Sequence, residues 1–100
     1  MKYDKLVRDK IPEYIISKGG KPITHVAESA EYWEKLKEKL IEEAGEFIKD
    51  ESIEELADIL EVIEAISAYK KFGRDEIEKV KNKKSEERGK FNDRIILDES

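Results

Sequence analysis

Cysteine is absent from the 100 residues, so the chain has no disulfide framework, no thiolate nucleophile and no zinc–cysteine site. Histidine occurs once, at His25, which argues against a Ser–His triad and against a multi-histidine metal site. No apolar run approaches the roughly 18–20 residues of a membrane span. The N-terminal MKYDKLVRDK lacks the apolar core of a signal peptide. These absences predict a cytoplasmic protein with no membrane partner, in which any metal chemistry falls to oxygen ligands.

What the chain has in abundance is charge. Charged residues make up 45% and apolar ones 38%, against a usual charged share of about 25%. Much of the chain must therefore be solvated helix surface. Its length fits one domain over residues 1–100. A net charge of −5 argues against a general nucleic-acid binder, but the sum hides an asymmetry. Glu28 to Glu64 holds fourteen acidic and four basic residues, whereas Lys79 to Arg94 holds seven basic and three acidic. Helix faces of opposite sign that favour solubility would account for this. So would an acidic metal cradle beside a basic clamp for a phosphorylated ligand.

Punctuation along the chain predicts an all-α fold. Ile11-Pro12 opens a short helix where the missing proline N–H costs nothing, and Gly19-Gly20 ends it. Lys21 to Val26 reads as an extended connector. A long helix runs from about Ser29, its N-cap, to Lys49. A second, Ser52 to Phe72, opens on the capping-box pattern Ser52-Ile-Glu-Glu55 and closes at Gly73. Asp75-Glu-Ile-Glu78 repeats that pattern and opens a shorter basic helix. Beyond Gly89 the tail is a short strand or an extended arm, with Phe91 anchoring it to the bundle.

On the first long helix Trp33, Leu36, Leu40, Ala44 and Phe47 fall within about 40° of one line. Glu43 lies at the edge of that stripe, Glu46 further round, and Glu42 on the far side. On the second, Ile53, Leu56, Leu60 and Ile63 form one stripe. Ile59, Val62, Ala65, Ile66 and Tyr69 extend it far round the helix, with Glu55 and Asp58 among them. A helix apolar over more than half its circumference is buried on two sides, and in so short a chain the second side falls to another subunit. A homodimer or homotetramer is expected, with Ile59, Val62, Ile66 and Tyr69 at its interface. Tyr69 either packs there or stacks on a base.

Glu43 and Glu46 are three apart, as are Glu55 and Asp58 on the next helix. Residues at that spacing share a face, and a short connection makes the helices antiparallel neighbours. Four carboxylates at the edge of an apolar seam repel one another unless a cation sits among them. Magnesium suits such an oxygen site, with manganese the alternative. The plain alternative is a solvated acidic surface, with Glu55 simply reaching back to Ser52.

Glu42-Glu43-Ala-Gly-Glu46 followed by Glu55-Leu-Ala-Asp58 resembles the EExxE…ExxD signature of the MazG-like all-α nucleoside triphosphate pyrophosphohydrolases. KLVRDKIPEYI, YWEKLKEKLIEEAGEF and ERGKFNDRIIL resemble one small branch, described as phosphoribosyl-ATP pyrophosphohydrolase-like. The resemblance spans nearly the whole chain. It implies an antiparallel helical bundle completed by oligomerisation, with Glu43, Glu46, Glu55 and Asp58 as magnesium ligands. Only eight residues separate Glu46 from Glu55, fewer than in many members, so the loop that helps shape the nucleotide pocket is minimal.

The expected reaction is metal-dependent hydrolysis of a nucleotide's α–β phosphoanhydride to a monophosphate and pyrophosphate. Glu42 is the candidate outer-shell base or ligand-orienting group. Arg8, Lys10, Lys83, Lys84, Arg88 and Arg94 are the candidate phosphate binders, Arg88 and Arg94 foremost because arginine binds phosphate oxygens bidentately. Hydrolysis of phosphoribosyl-ATP in histidine synthesis and a non-enzymatic helical interaction module are the rival readings.

Overall fold

The computed structural model describes residues 4–100 and contains four helices among them, with no strand. They are α1 (Ile11–Ser17), α2 (Ser29–Asp50), α3 (Ile53–Lys70) and α4 (Arg74–Arg88). No helix among the described residues is long and apolar enough to cross a membrane.

Local chemistry fixes most of the boundaries. Pro12 sits in the first turn of α1, and Gly19 takes φ +88° just beyond its end, a conformation glycine adopts without strain. The connector from Lys21 to Val26 is irregular, as expected. Ser52 caps α3 by accepting the Glu55 backbone N–H at 3.2 Å on its hydroxyl. Two expected caps are corrected. Ser29 is already inside α2, where its hydroxyl bonds the Tyr69 hydroxyl at 3.0 Å, and Glu28 precedes the helix. The last helix starts at Arg74 rather than at the Asp75 box, with the Gly73 N–H donating to Glu76 Oε1 at 3.3 Å.

Only α2 and α3 pack extensively on each other. The connection between them is two residues long, with Glu51 in the left-handed conformation at φ +51°. At the open end of this hairpin Trp33 stacks on Tyr69, ring centres 5.2 Å apart and planes 6° from parallel. Tyr32 meets the same ring edge-on at 5.7 Å, and the Lys70 ammonium lies 4.3 Å from the Trp33 centroid. Tyr69 is thus spent inside the hairpin.

The two apolar faces of α3 are real, but their assignment is corrected. Val62 is buried, and Ile59, Ala65, Ile66 and Tyr69 are half-buried on the side of α2, whereas Ile53, Leu56, Leu60 and Ile63 are exposed. The Trp33–Tyr69 stack fixes this phase, because it turns the Tyr69 side inward along the whole helix. Phe91 is also corrected: it is almost fully exposed and anchors nothing.

The resulting core is thin. Leu36 and Val62 are the only buried apolar residues among those described, and only Leu36 is fully so. The radius of gyration is 17.7 Å, against about 13 Å for a compact chain of this length. Replacing the 1% exposed Leu36 by alanine should cost about 2–5 kcal/mol. Urea titration followed by circular dichroism should show the midpoint moving down accordingly.

Candidate metal centre

Counting inward from the Trp33–Tyr69 stack, ten residues along α2 reach Glu43 and eleven along α3 reach Asp58. Antiparallel helices with equal rise per residue therefore bring the two carboxylates to the same depth. The side chains then converge. One oxygen from each of Glu43, Glu55 and Asp58 lies within 4.8 Å of the others. Opposite oxygens around an octahedral magnesium are about 4.2 Å apart, so three hard anionic donors at this spacing fit such an ion after small side-chain adjustments. Exposed acidic groups often cluster with no ion among them, but Glu43 is not exposed: it is the one buried charged residue among those described.

Glu46 is exposed and stands outside the triad. Its charge nevertheless acts on Glu55, whose carboxyl is pushed up by desolvation, then by Asp58, Glu43, Glu46 and Asp50. Only half of the capping box forms: the Glu55 N–H reaches Ser52, while its carboxylate belongs to the triad.

Cations from two directions offset the crowding. Lys39, one turn before Glu43, lies 3.4 Å from both Glu43 Oε1 and Glu42 Oε2. Lys5 reaches Glu42 Oε1 at 3.1 Å, and Arg8 forks onto Asp58 Oδ1 at 2.7 Å and Glu61 Oε1 at 3.4 Å. Glu42 is therefore not the outward group expected of its wheel position, since the N-terminal segment covers that side of α2. Desolvation raises its carboxyl, but the Lys5 and Lys39 hydrogen bonds and charges outweigh this and hold it below its ordinary value. That makes it a weak base and a firm anchor for both lysines.

Of the six basic residues expected to meet phosphate, Arg8 alone is ion-paired to one of the candidate ligands among the described residues. Lys83 pairs loosely with Glu87 at 3.9 Å on its own helix. Lys84 and Arg88 lie on α4 and Arg94 in the tail, where Arg88, Phe91 and Arg94 line a shallow open concavity. Lys10 immediately precedes α1 and takes part in no ion pair among the described residues. His25 lies 3.0 Å from the Glu31 carboxylate and takes no part in the triad. The partners missed by sequence reasoning are Lys5, Lys39 and Glu61. Lys39 was legible from its i, i+4 spacing to Glu43, whereas Lys5 and Glu61 depend on where residues 4–10 run.

No protein-family model, curated protein or solved structure matches the chain.

The raised Glu55 carboxyl has a definite sign. As pH climbs through the ordinary carboxylate range, Glu55 ionises in the unfolded chain before it does in the fold, so the metal-free fold loses stability across that window. Glu55→Gln should remove this loss, giving a higher Tm than wild type at pH 7 in chelator. The same substitution should abolish any rise in Tm on adding magnesium. Thermal melts with and without the ion check both halves.

Proposed function

We propose that the protein is a metal-dependent nucleotide pyrophosphohydrolase. It hydrolyses the α–β phosphoanhydride of a nucleoside triphosphate or a related nucleotide, releasing a monophosphate and pyrophosphate. The observation that carries this reading is the convergence of Glu43, Glu55 and Asp58, drawn from both acidic runs of the MazG-like signature, beside an apolar seam. Glu46, the remaining acid of the expected ligand set, lies on the exposed side of α2.

Glu43, Glu55 and Asp58 would hold magnesium or manganese. When bound, the ion supplies positive charge to phosphate oxygens and lowers the pKa of a ligated water. Lys39 orients Glu43 through its ammonium, and Glu42 holds Lys39 in place. Arginines then offset the charge of the departing pyrophosphate through paired N–H donors.

The working state is a homodimer or homotetramer. Lys83, Lys84, Arg88 and Arg94 lie on or just beyond α4, and only α2 and α3 pack extensively within one chain. A second copy delivers those cations to the acids. The exposed face of α3, with Leu56, Leu60 and Ile63, is the surface such a copy covers. Monomers rarely leave so continuous an apolar patch in water, and the acidic hairpin and basic α4 are complementary in charge.

Two measurements test this. Incubation with magnesium and a nucleotide panel that includes phosphoribosyl-ATP should yield monophosphate and pyrophosphate, resolved by ion-exchange chromatography. Diphosphate and orthophosphate as first products would overturn the bond assignment, and no turnover of any nucleotide would favour the interaction module. Light scattering should give two or four times the chain mass. Leu60→Glu should dissociate that assembly, and a wild-type monomer that still turns over substrate would refute the role given to the second copy.

A further inference from the structure

Residues 4–10 form no helix or strand, yet they are fastened across the hairpin at three points. Lys35 Nζ donates to the Asp4 carbonyl at 2.8 Å, and Lys5 Nζ donates to Glu42 Oε1 at 3.1 Å. Arg8 completes the strap with its fork onto Asp58 and Glu61. Leu6 and Ile11 are half-buried along the same path. The segment therefore carries a guanidinium, fifty residues distant in sequence, onto one of the three converging acids.

We propose that Arg8 alternates between two anions of one site: Asp58 when the triad holds no metal, and a phosphate oxygen of the substrate once a divalent cation has taken Asp58. This rests on the metal-dependent reading above. In the metal-free chain Arg8 supplies positive charge to an acidic cluster, as a built-in stand-in cation. Glu43, Glu55 and Asp58 would hold a divalent ion, whose charge would replace that of the guanidinium and leave the Arg8 side chain free to turn away from Asp58. The planar donor fork that fits a carboxylate also fits a phosphate, so the released side chain keeps its recognition geometry. The Lys5–Glu42 and Lys35–Asp4 anchors hold the segment in place and so keep Arg8 nearby.

The exchange requires only a weak hold. The Arg8 and Asp58 side chains are 54% and 37% exposed, and an exposed pair of this kind shifts a competing equilibrium by about two- to five-fold. Arg8 thus makes the metal bind slightly less tightly and the phosphate more tightly. Opposite effects on two ligands are something a merely structural residue does not produce.

The test is calorimetry on the full chain, first with manganese alone, then with methylenediphosphonate added to manganese-saturated protein. Wild type, Arg8→Gln, Arg8→Lys and Glu61→Gln are compared, with circular dichroism confirming equal helix content. Arg8→Gln should bind manganese about two- to five-fold more tightly. It should bind methylenediphosphonate at least about tenfold more weakly, as for loss of a charged hydrogen bond. Arg8→Lys should restore the manganese affinity and recover only part of the diphosphonate affinity, while Glu61→Gln retains both within about twofold because Arg8 and Asp58 are intact. Any pattern in which Arg8→Gln fails to move the two affinities in opposite directions overturns the alternation. Absence of manganese binding in all four proteins overturns the metal centre itself, and the alternation with it.

Discussion

One seam between two helices carries nearly everything this chain has to hold together. The α2–α3 contact buries Leu36 and Val62, stacks Trp33 on Tyr69, and also sets Glu43 against Glu55 and Asp58. These tasks oppose each other. Apolar burial draws the helices together, while like charges at the connected end push them apart. The aromatic clamp lies at the opposite end from the acids, so attraction and repulsion are separated along the hairpin. A two-residue connection keeps the repelling end from opening.

The electrostatic solution is asymmetric. Glu43 leans on Lys39 from its own helix, Asp58 on Arg8 from the N-terminal segment, and Glu55 has no ion-pair partner among the described residues. It is Glu55 whose carboxyl is pushed upward and Glu42, braced by two lysines, whose carboxyl is pushed downward. A site that leaves one acid uncompensated is less stable than its neighbours would allow. In the metal-dependent reading proposed above, that uncompensated acid is what would attract a positive ligand, since a fully paired cluster has little net attraction to offer.

Much of this was legible in the residues, and the parts that were not share a cause. Helix type and order followed from Pro12, the glycines and the Ser52 cap, because those signals act within a few residues. The acid pairs were visible from their i, i+3 spacing, and the convergence of Glu43, Glu55 and Asp58 followed from the short connection, whereas Glu46 stays outside the cluster. Which apolar face of α3 turns inward was not legible, since both stripes are continuous and the choice rests on Tyr69 meeting Trp33. Glu42 looked solvent-facing for a similar reason: helical periodicity describes one helix and is silent about an irregular strap laid over it. Phe91 marks the limit of composition as a guide, because nothing in its own surroundings reveals that the tail stands clear of the hairpin.

The isolation of α4 has a consequence for how the molecule breathes. This helix contains no buried residue, and its visible supports are local: Gly73 to Glu76, Arg74 to Glu64, and spaced Lys–Glu pairs. Fifteen residues with so little tertiary backing are near the limit at which a helix survives in water. Its amide protons should therefore exchange with solvent long before those of α2 and α3, through fraying that leaves the hairpin closed. In an assembly that covers α4 those same amides would slow down, so the exchange rate of one helix becomes a gauge of whether a chain is alone.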